Sequence, residues 1–235
     1  MKYLNFANRV QSNDQQEILL TLIDLSGSMY ADDIKPSRME AAIKANQEIV
    51  RVKRQYYHND KVGVISFQKT AKLSLQPMQA WNIGDLSRKI DDTGLEGGTD
   101  FTAPLKLAYN YFLGKPATFG KNPLAKVLSG FFFEPGIDKC LSIKTTDGST
   151  RRIILLTDGE HLGYENPIHI ATRLKRAGVT IDCIGIGGSP KDVDEKLLKK
   201  IASRNPNGST RYCFIGNQRK LLRKYQTLAH HIRAI

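Results

Sequence analysis

The sequence predicts an open, doubly wound α/β sheet, mostly parallel, with helices on both faces. Three observations carry this expectation. Apolar runs of strand length alternate with stretches of helical periodicity along nearly the whole chain. The run Ile153 to Leu156 is continuously apolar, as in a strand covered on both faces. Two of the runs end abruptly in an acid, Asp24 after the first and Asp158 after the one at 151–157.

Taken in order, the first strand covers Ile18 to Asp24. Ser37 then stands where it can cap a helix on which Ala42, Ala45, Ile49, Val52 and Tyr56 recur at steps of three and four. KVGVISF, residues 61–67, is the second strand. AKLSLQPM, residues 71–78, alternates apolar and polar residues and follows almost at once, so the two pair as an antiparallel hairpin at one sheet edge, where Pro77 is tolerated. IGDLSRKIDD, residues 83–92, reads as a short helix, and GLEGGTD, residues 94–100, as a loop. A helix from about Ala103 to Leu113 presents Leu105, Ala108, Tyr111 and Phe112 on one face.

Beyond the strand at 151–157 come a helix from about Ile168 to Ala177, the strand VTIDCIGIG, a helix from about Glu195 to Ser203 and the strand RYCFIG. A last helix, about Gln218 to Arg233, carries Leu221, Tyr225, Leu228 and Ile232 at steps of four, three and four. Residues 114–150 break the rhythm and read as an insertion within a single domain spanning 1–235. Asp147-Gly148 signals a hairpin at its end, and Phe131 to Phe133 read as a local core beneath the insertion in preference to an exposed docking patch.

Composition bounds the function. A chain of 235 residues, 40% of them hydrophobic, buries a large core. Cys140, Cys183 and Cys213 are widely spaced, which indicates neither a zinc knuckle nor a redox pair and suits a reducing compartment. The start, MKYLNFANRVQSNDQQ, lacks the apolar segment of a signal peptide, and no window reaches membrane-spanning length, so a soluble cytoplasmic protein is expected. The formal charge of +12 suits an acidic partner. Its basic residues are scattered over helices (Arg51, Lys53 and Arg54; Arg219, Lys220, Arg223 and Lys224) and read as solvated faces, which argues against nucleic acid.

The chemistry concentrates in the turn that leaves the first strand. Asp24, Ser26 and Ser28 lie at alternate positions there, and a curled turn brings their side chains toward one point. In open α/β sheets ligands bind beyond the carboxyl ends of the strands, where Asp24 and Asp158 both stand. Thr99, in the glycine-rich loop, adds a hydroxyl. Two carboxylates and three hydroxyls, with no imidazole or thiolate, are hard oxygen donors of the kind magnesium accepts. Taken singly, Asp24 and Ser26 also suit plain turn capping. Asp32, Asp100 and Glu160 are placed as outer acids or as solvated loop charges, and His161 as an exposed residue rather than a ligand.

The "DLSGS" at Asp24 to Ser28, the "GGT" ending at Thr99 and the "TDG" around Asp158 resemble the metal-ion-dependent adhesion site (MIDAS) of the von Willebrand factor A (vWA) domain family. The resemblance runs from about Glu17 to Ile235. It implies a Rossmann-like, six-stranded sheet with one antiparallel edge strand. It also implies a Mg2+ or Mn2+ ion held by Asp24, Ser26, Ser28, Thr99 and Asp158, directly or through water. A glutamate or aspartate from another protein then completes the coordination, which makes the expected function a metal-dependent protein-binding module, an adaptor in an intracellular assembly rather than an enzyme. The alternatives are a binder of nucleic acid or anionic surfaces driven by the net charge, and a magnesium-dependent phosphatase using Asp24. Against the latter, the second aspartate that such phosphatases carry two residues on is replaced by Ser26.

Overall fold

The computed structural model describes residues 16–91, 94–114 and 148–230. Most of the insertion, with Phe131 to Phe133, Cys140 and the Asp147 side of the expected hairpin, lies outside them, as does Ile232.

The first strand, β1, is Glu17–Asp24, and every one of its residues is buried. Helix α1, Arg38–Tyr56, starts where Ser37 accepts a hydrogen bond from the Glu40 amide at 3.1 Å. Strands β2, Lys61–Phe67, and β3, Ala71–Gln79, follow, and then helix α2, Thr102–Leu113. After them come β4 (Thr150–Thr157), α3 (Pro167–Arg176), β5 (Val179–Ile186), α4 (Glu195–Ile201), β6 (Tyr212–Ile215) and α5 (Gln218–His230).

The six strands run in the order β3-β2-β1-β4-β5-β6, and only the β2–β3 pair is antiparallel. The expected doubly wound sheet with one antiparallel edge is therefore present. Alternation along β1 divides the core: Leu19 and Ile23 pack on the face covered by α1 and α5, while Ile18, Leu20 and Leu22 pack under α2, α3 and α4. Strand β1 connects through α1 on one face to β2, and β4 connects through α3 on the other face to β5. The chain thus diverges between β1 and β4, and their carboxyl ends flank the resulting crevice.

Some local expectations change. Among its described residues, 83–91, the expected helix is reduced to a 3-10 turn at Leu86–Arg88. The apolar spacing is real, since Ile83, Leu86 and Ile90 are buried. However, the Asp85 carboxylate accepts from both the amide and the hydroxyl of Ser87, a local bonding pattern that competes with a full helix. On α2, Leu105, Ala108 and Phe112 face the core, whereas Tyr111 lies off that stripe and is exposed. Tyr56, the last residue of α1, is also exposed.

The largest departure is Lys53, which is fully buried rather than solvated. Its ammonium donates to Glu17 and to Asp60, each at 2.7 Å, and the second Asp60 oxygen accepts the Glu17 amide at 2.9 Å. This cluster sits at the amino end of β1, at the opposite edge of the sheet from Asp24. No helix among the described residues is long and apolar enough to cross a membrane.

Candidate metal centre

The buried run of β1 delivers Asp24, itself fully buried, to the carboxyl edge of the sheet. One Asp24 oxygen accepts the Ser26 amide at 2.9 Å and the other the Thr157 hydroxyl at 2.6 Å. Residues Gly27–Tyr30 then form a 3-10 turn pinned by the buried Met29. Ser26 stands at the cap of that turn, but its hydroxyl makes no capping bond. Instead it lies 3.1 Å from the Ser28 hydroxyl and 3.5 Å from Asp158 Oδ1, to which Ser28 donates at 2.9 Å. Asp24, Ser26, Ser28 and Asp158 are thus brought into one hydrogen-bonded cluster from two strands and more than a hundred residues of chain.

Thr99 reaches the same place from a third loop. A Cβ built on Gly159 would lie 3.5 Å from the Thr99 hydroxyl, so that hydroxyl flanks the backbone just after Asp158. Thr99 is buried, yet its hydroxyl has no hydrogen-bond partner among the described residues. Backbone ties hold the loops in register: Leu162 N–H donates to the Thr99 carbonyl at 2.7 Å, and Asp100 N–H to the Gln68 carbonyl at 2.8 Å. The Gln68 side chain in turn donates to the Leu25 carbonyl at 2.7 Å.

Two carboxylates are confined together at this edge of the sheet. Burial pushes the Asp24 carboxyl up to about 7, with Asp158 adding to the rise and the Thr157 and Ser26 hydrogen bonds opposing it. Burial also raises Asp158, opposed by Arg38 and Ser28.

The donor set fits a hard divalent ion. Ligands about 2.1 Å from a six-coordinate ion lie roughly 3.0 Å apart along each octahedral edge. The Ser26–Ser28 and Ser28–Asp158 spacings of 3.1 and 2.9 Å match that edge. The unpartnered Thr99 hydroxyl provides a further oxygen. Among the described residues, no three His, Cys, Asp or Glu side chains gather in a way that could hold a metal. The candidate centre therefore depends on its hydroxyls as much as on its acids.

The other residues singled out in the sequence have different roles. Asp100 accepts the Thr102 amide at 2.7 Å at the start of α2, and Asp32 pairs with Lys35 in solvent. His161 is half-buried rather than exposed. Its Nδ1 accepts the Phe101 amide at 3.1 Å and its ring lies 5.3 Å from that of Phe101, so it fastens the Thr99 loop to the β4 loop.

Sequence reasoning missed Arg38, whose guanidinium donates to Asp158 Oδ2 at 2.8 Å and to both oxygens of Asp33 at 2.8 and 2.7 Å. A signal was available. A cation at the first position of a helix opposes the helix dipole, so a local rule is broken there.

YfbK of Escherichia coli (strain K12) is 27% identical to this chain over 198 residues, covering 83% of this chain and 28% of YfbK. This chain therefore spans little more than a quarter of that relative. The VWA domain of SpRpn10 superposes with a TM-score of 0.59 at 19% identity, covering 89% of this chain and 93% of that one. Proximal thread matrix protein 1 from the mussel byssus, with a zinc-occupied MIDAS motif, gives a TM-score of 0.57 at 18% identity, covering 92% of this chain and 46% of that one. At these identities the structural likenesses show the fold. A model of the von Willebrand factor type A domain matches residues 19–161, and a second model of the same description matches 139–226, so the chain belongs to the von Willebrand factor type A domain family.

Proposed function

We propose that this chain is a metal-dependent protein-binding module, in which Asp24, Ser26, Ser28, Thr99 and Asp158 hold a Mg2+ or Mn2+ ion and a partner protein contributes a glutamate or aspartate. The observation that carries the reading is the chain of contacts from Ser26 through Ser28 to Asp158 Oδ1, which gathers oxygens from the β1 and β4 loops at the spacing a small octahedral ion requires. Hard oxygens without imidazole or thiolate favour magnesium or manganese over zinc, although the mussel protein's motif holds zinc. When bound, the ion supplies a Lewis-acidic position for a carboxylate oxygen.

The residues of the chain do the rest. Asp24 and Asp158 offset the divalent charge, the serines and Thr99 supply neutral oxygens, and the backbone ties fix the three loops before any ligand arrives. Members of this family often mediate protein–protein interaction, and the role we propose is that of an adaptor in an intracellular assembly. Binding without turnover is our reading because Ser26 stands two residues after Asp24, where an aspartyl phosphatase carries its general acid.

Calorimetric titration with Mg2+ and Mn2+ tests the reading: saturable uptake is expected, lost in Asp24→Ala. Capture of partners from extract with and without EDTA extends it. Retention that ignores EDTA but falls steeply with salt would point instead to the +12 charge and an anionic surface.

A further inference from the structure

We infer that Arg38 is a positioning residue that sets the ion selectivity of the metal centre, by denying Asp158 a bidentate mode and so disfavouring calcium. The inference rests on the proposed metal-binding role of Asp158.

The two oxygens of Asp158 are divided between different neighbours. Oδ1 faces the serines, accepting from Ser28 at 2.9 Å and lying 3.5 Å from Ser26. Oδ2 accepts Arg38 Nη1 at 2.8 Å. The guanidinium is itself braced, with Nε and Nη2 on the two Asp33 oxygens at 2.8 and 2.7 Å and Nη2 3.5 Å from Asp192. Asp192 is fixed in turn by accepting the Ser189 amide at 3.0 Å, in the turn that follows β5.

The Arg38 side chain is only 11% exposed and the Asp158 side chain 0%. A planar fork held by three carboxylates from three loops cannot rotate away without breaking several charge-assisted hydrogen bonds. A metal ion that used both Asp158 oxygens would therefore compete with the guanidinium for Oδ2.

That restriction separates the hard divalent ions. Calcium takes six to eight oxygens and commonly uses both oxygens of a carboxylate, whereas magnesium is satisfied by about six single-oxygen ligands near 2.1 Å. Holding Oδ2 on Arg38 costs calcium a ligand and magnesium none. The guanidinium charge repels both ions alike, so the ratio of their affinities reports the geometry rather than the charge.

The test is calorimetric titration of Mg2+ and of Ca2+ into the wild-type chain and into Arg38→Met and Arg38→Gln, after circular dichroism has confirmed folding. The wild type is expected to prefer magnesium. Both substitutions are expected to shift the Ca2+/Mg2+ affinity ratio toward calcium by about tenfold, the usual scale for the partner of a metal ligand. If only one variant folds, its ratio decides. An unchanged ratio, or a wild type that takes calcium as tightly as magnesium, overturns the role of Arg38 and leaves the metal centre standing. A wild type that takes up neither ion overturns the metal-centre reading itself.

Discussion

The Thr157 hydroxyl donates to Asp24 Oδ2 at 2.6 Å and joins the carboxyl ends of the two central strands. It also accepts the Gly159 amide at 3.2 Å, so one buried hydroxyl orients an acid of the candidate site and shapes the turn carrying the other. Thr157→Val keeps the shape of the side chain and removes that donor. It should cost about 1–3 kcal/mol in urea unfolding of the metal-free protein, because a buried carboxylate oxygen is left unpaired. Thr157→Ser should restore most of the loss.

The elevated Asp24 carboxyl gives the metal-free protein a characteristic pH dependence. Its folded-state value of about 7 lies above the ordinary 3.8, so between those limits the folded chain binds more protons than the unfolded one. Stability without metal should then fall as pH rises from about 4 to about 7. Glu17 and Asp158, both raised by burial, act in the same direction. Magnesium requires the ionised carboxylate, so its affinity should weaken as pH falls below about 7, with proton release on binding. Denaturation in EDTA across this range should show the slope, and Asp24→Asn should flatten it.

How much of this was legible depends on how local each signal is. The strands at 18–24 and 61–67, the Ser37 cap and the edge hairpin are written in periodicity and capping chemistry, which a single sequence displays directly. The convergence of Asp24, Ser26, Ser28 and Asp158 was legible in part because Asp24 and Asp158 end strands of an open α/β sheet, and in part through the motif's resemblance to the metal-ion-dependent adhesion site. Lys53 and Arg38 were not legible in this way. Each lies on a helix and finds its partners on other elements: Glu17 and Asp60 for Lys53, Asp158 and Asp192 for Arg38. A charge run on a helix does not reveal which of its members has turned inward.

The edge hairpin carries its own steric signature. A Cβ on Gly63 would lie 2.6 Å from Pro77 Cγ and 2.9 Å from Leu20 Cδ2, at the point where the β2–β3 register shifts. Gly63→Ala should therefore destabilise by about 1–3 kcal/mol through overpacking. Removing the ring should relieve part of that, so the double substitution with Pro77→Ala should lose less than the sum of the singles. A thermal-unfolding double-mutant cycle gives the coupling, and strict additivity would mean that the proline ring is not the obstacle.

Lys53 offers a test that separates fold from function. Its ammonium and the Glu17 and Asp60 carboxylates are shielded from water, and burial raises Glu17 in spite of the lysine beside it. Replacing Lys53 with Met leaves two buried acids facing each other with no cation between them. The expected cost is about 3–5 kcal/mol at neutral pH, the scale seen when one partner of a buried ion pair is removed. The loss should shrink as pH falls and Glu17 takes up a proton, since protonation removes part of the uncompensated charge. Combining Lys53→Met with Glu17→Gln and Asp60→Asn should recover stability, because a neutral cluster has no stranded ion. The cluster lies at the amino end of β1, away from Asp24, so magnesium affinity of the folded fraction should stay at the wild-type level throughout. A parallel loss of affinity and stability in calorimetry would show instead that the two ends of the strand are energetically coupled.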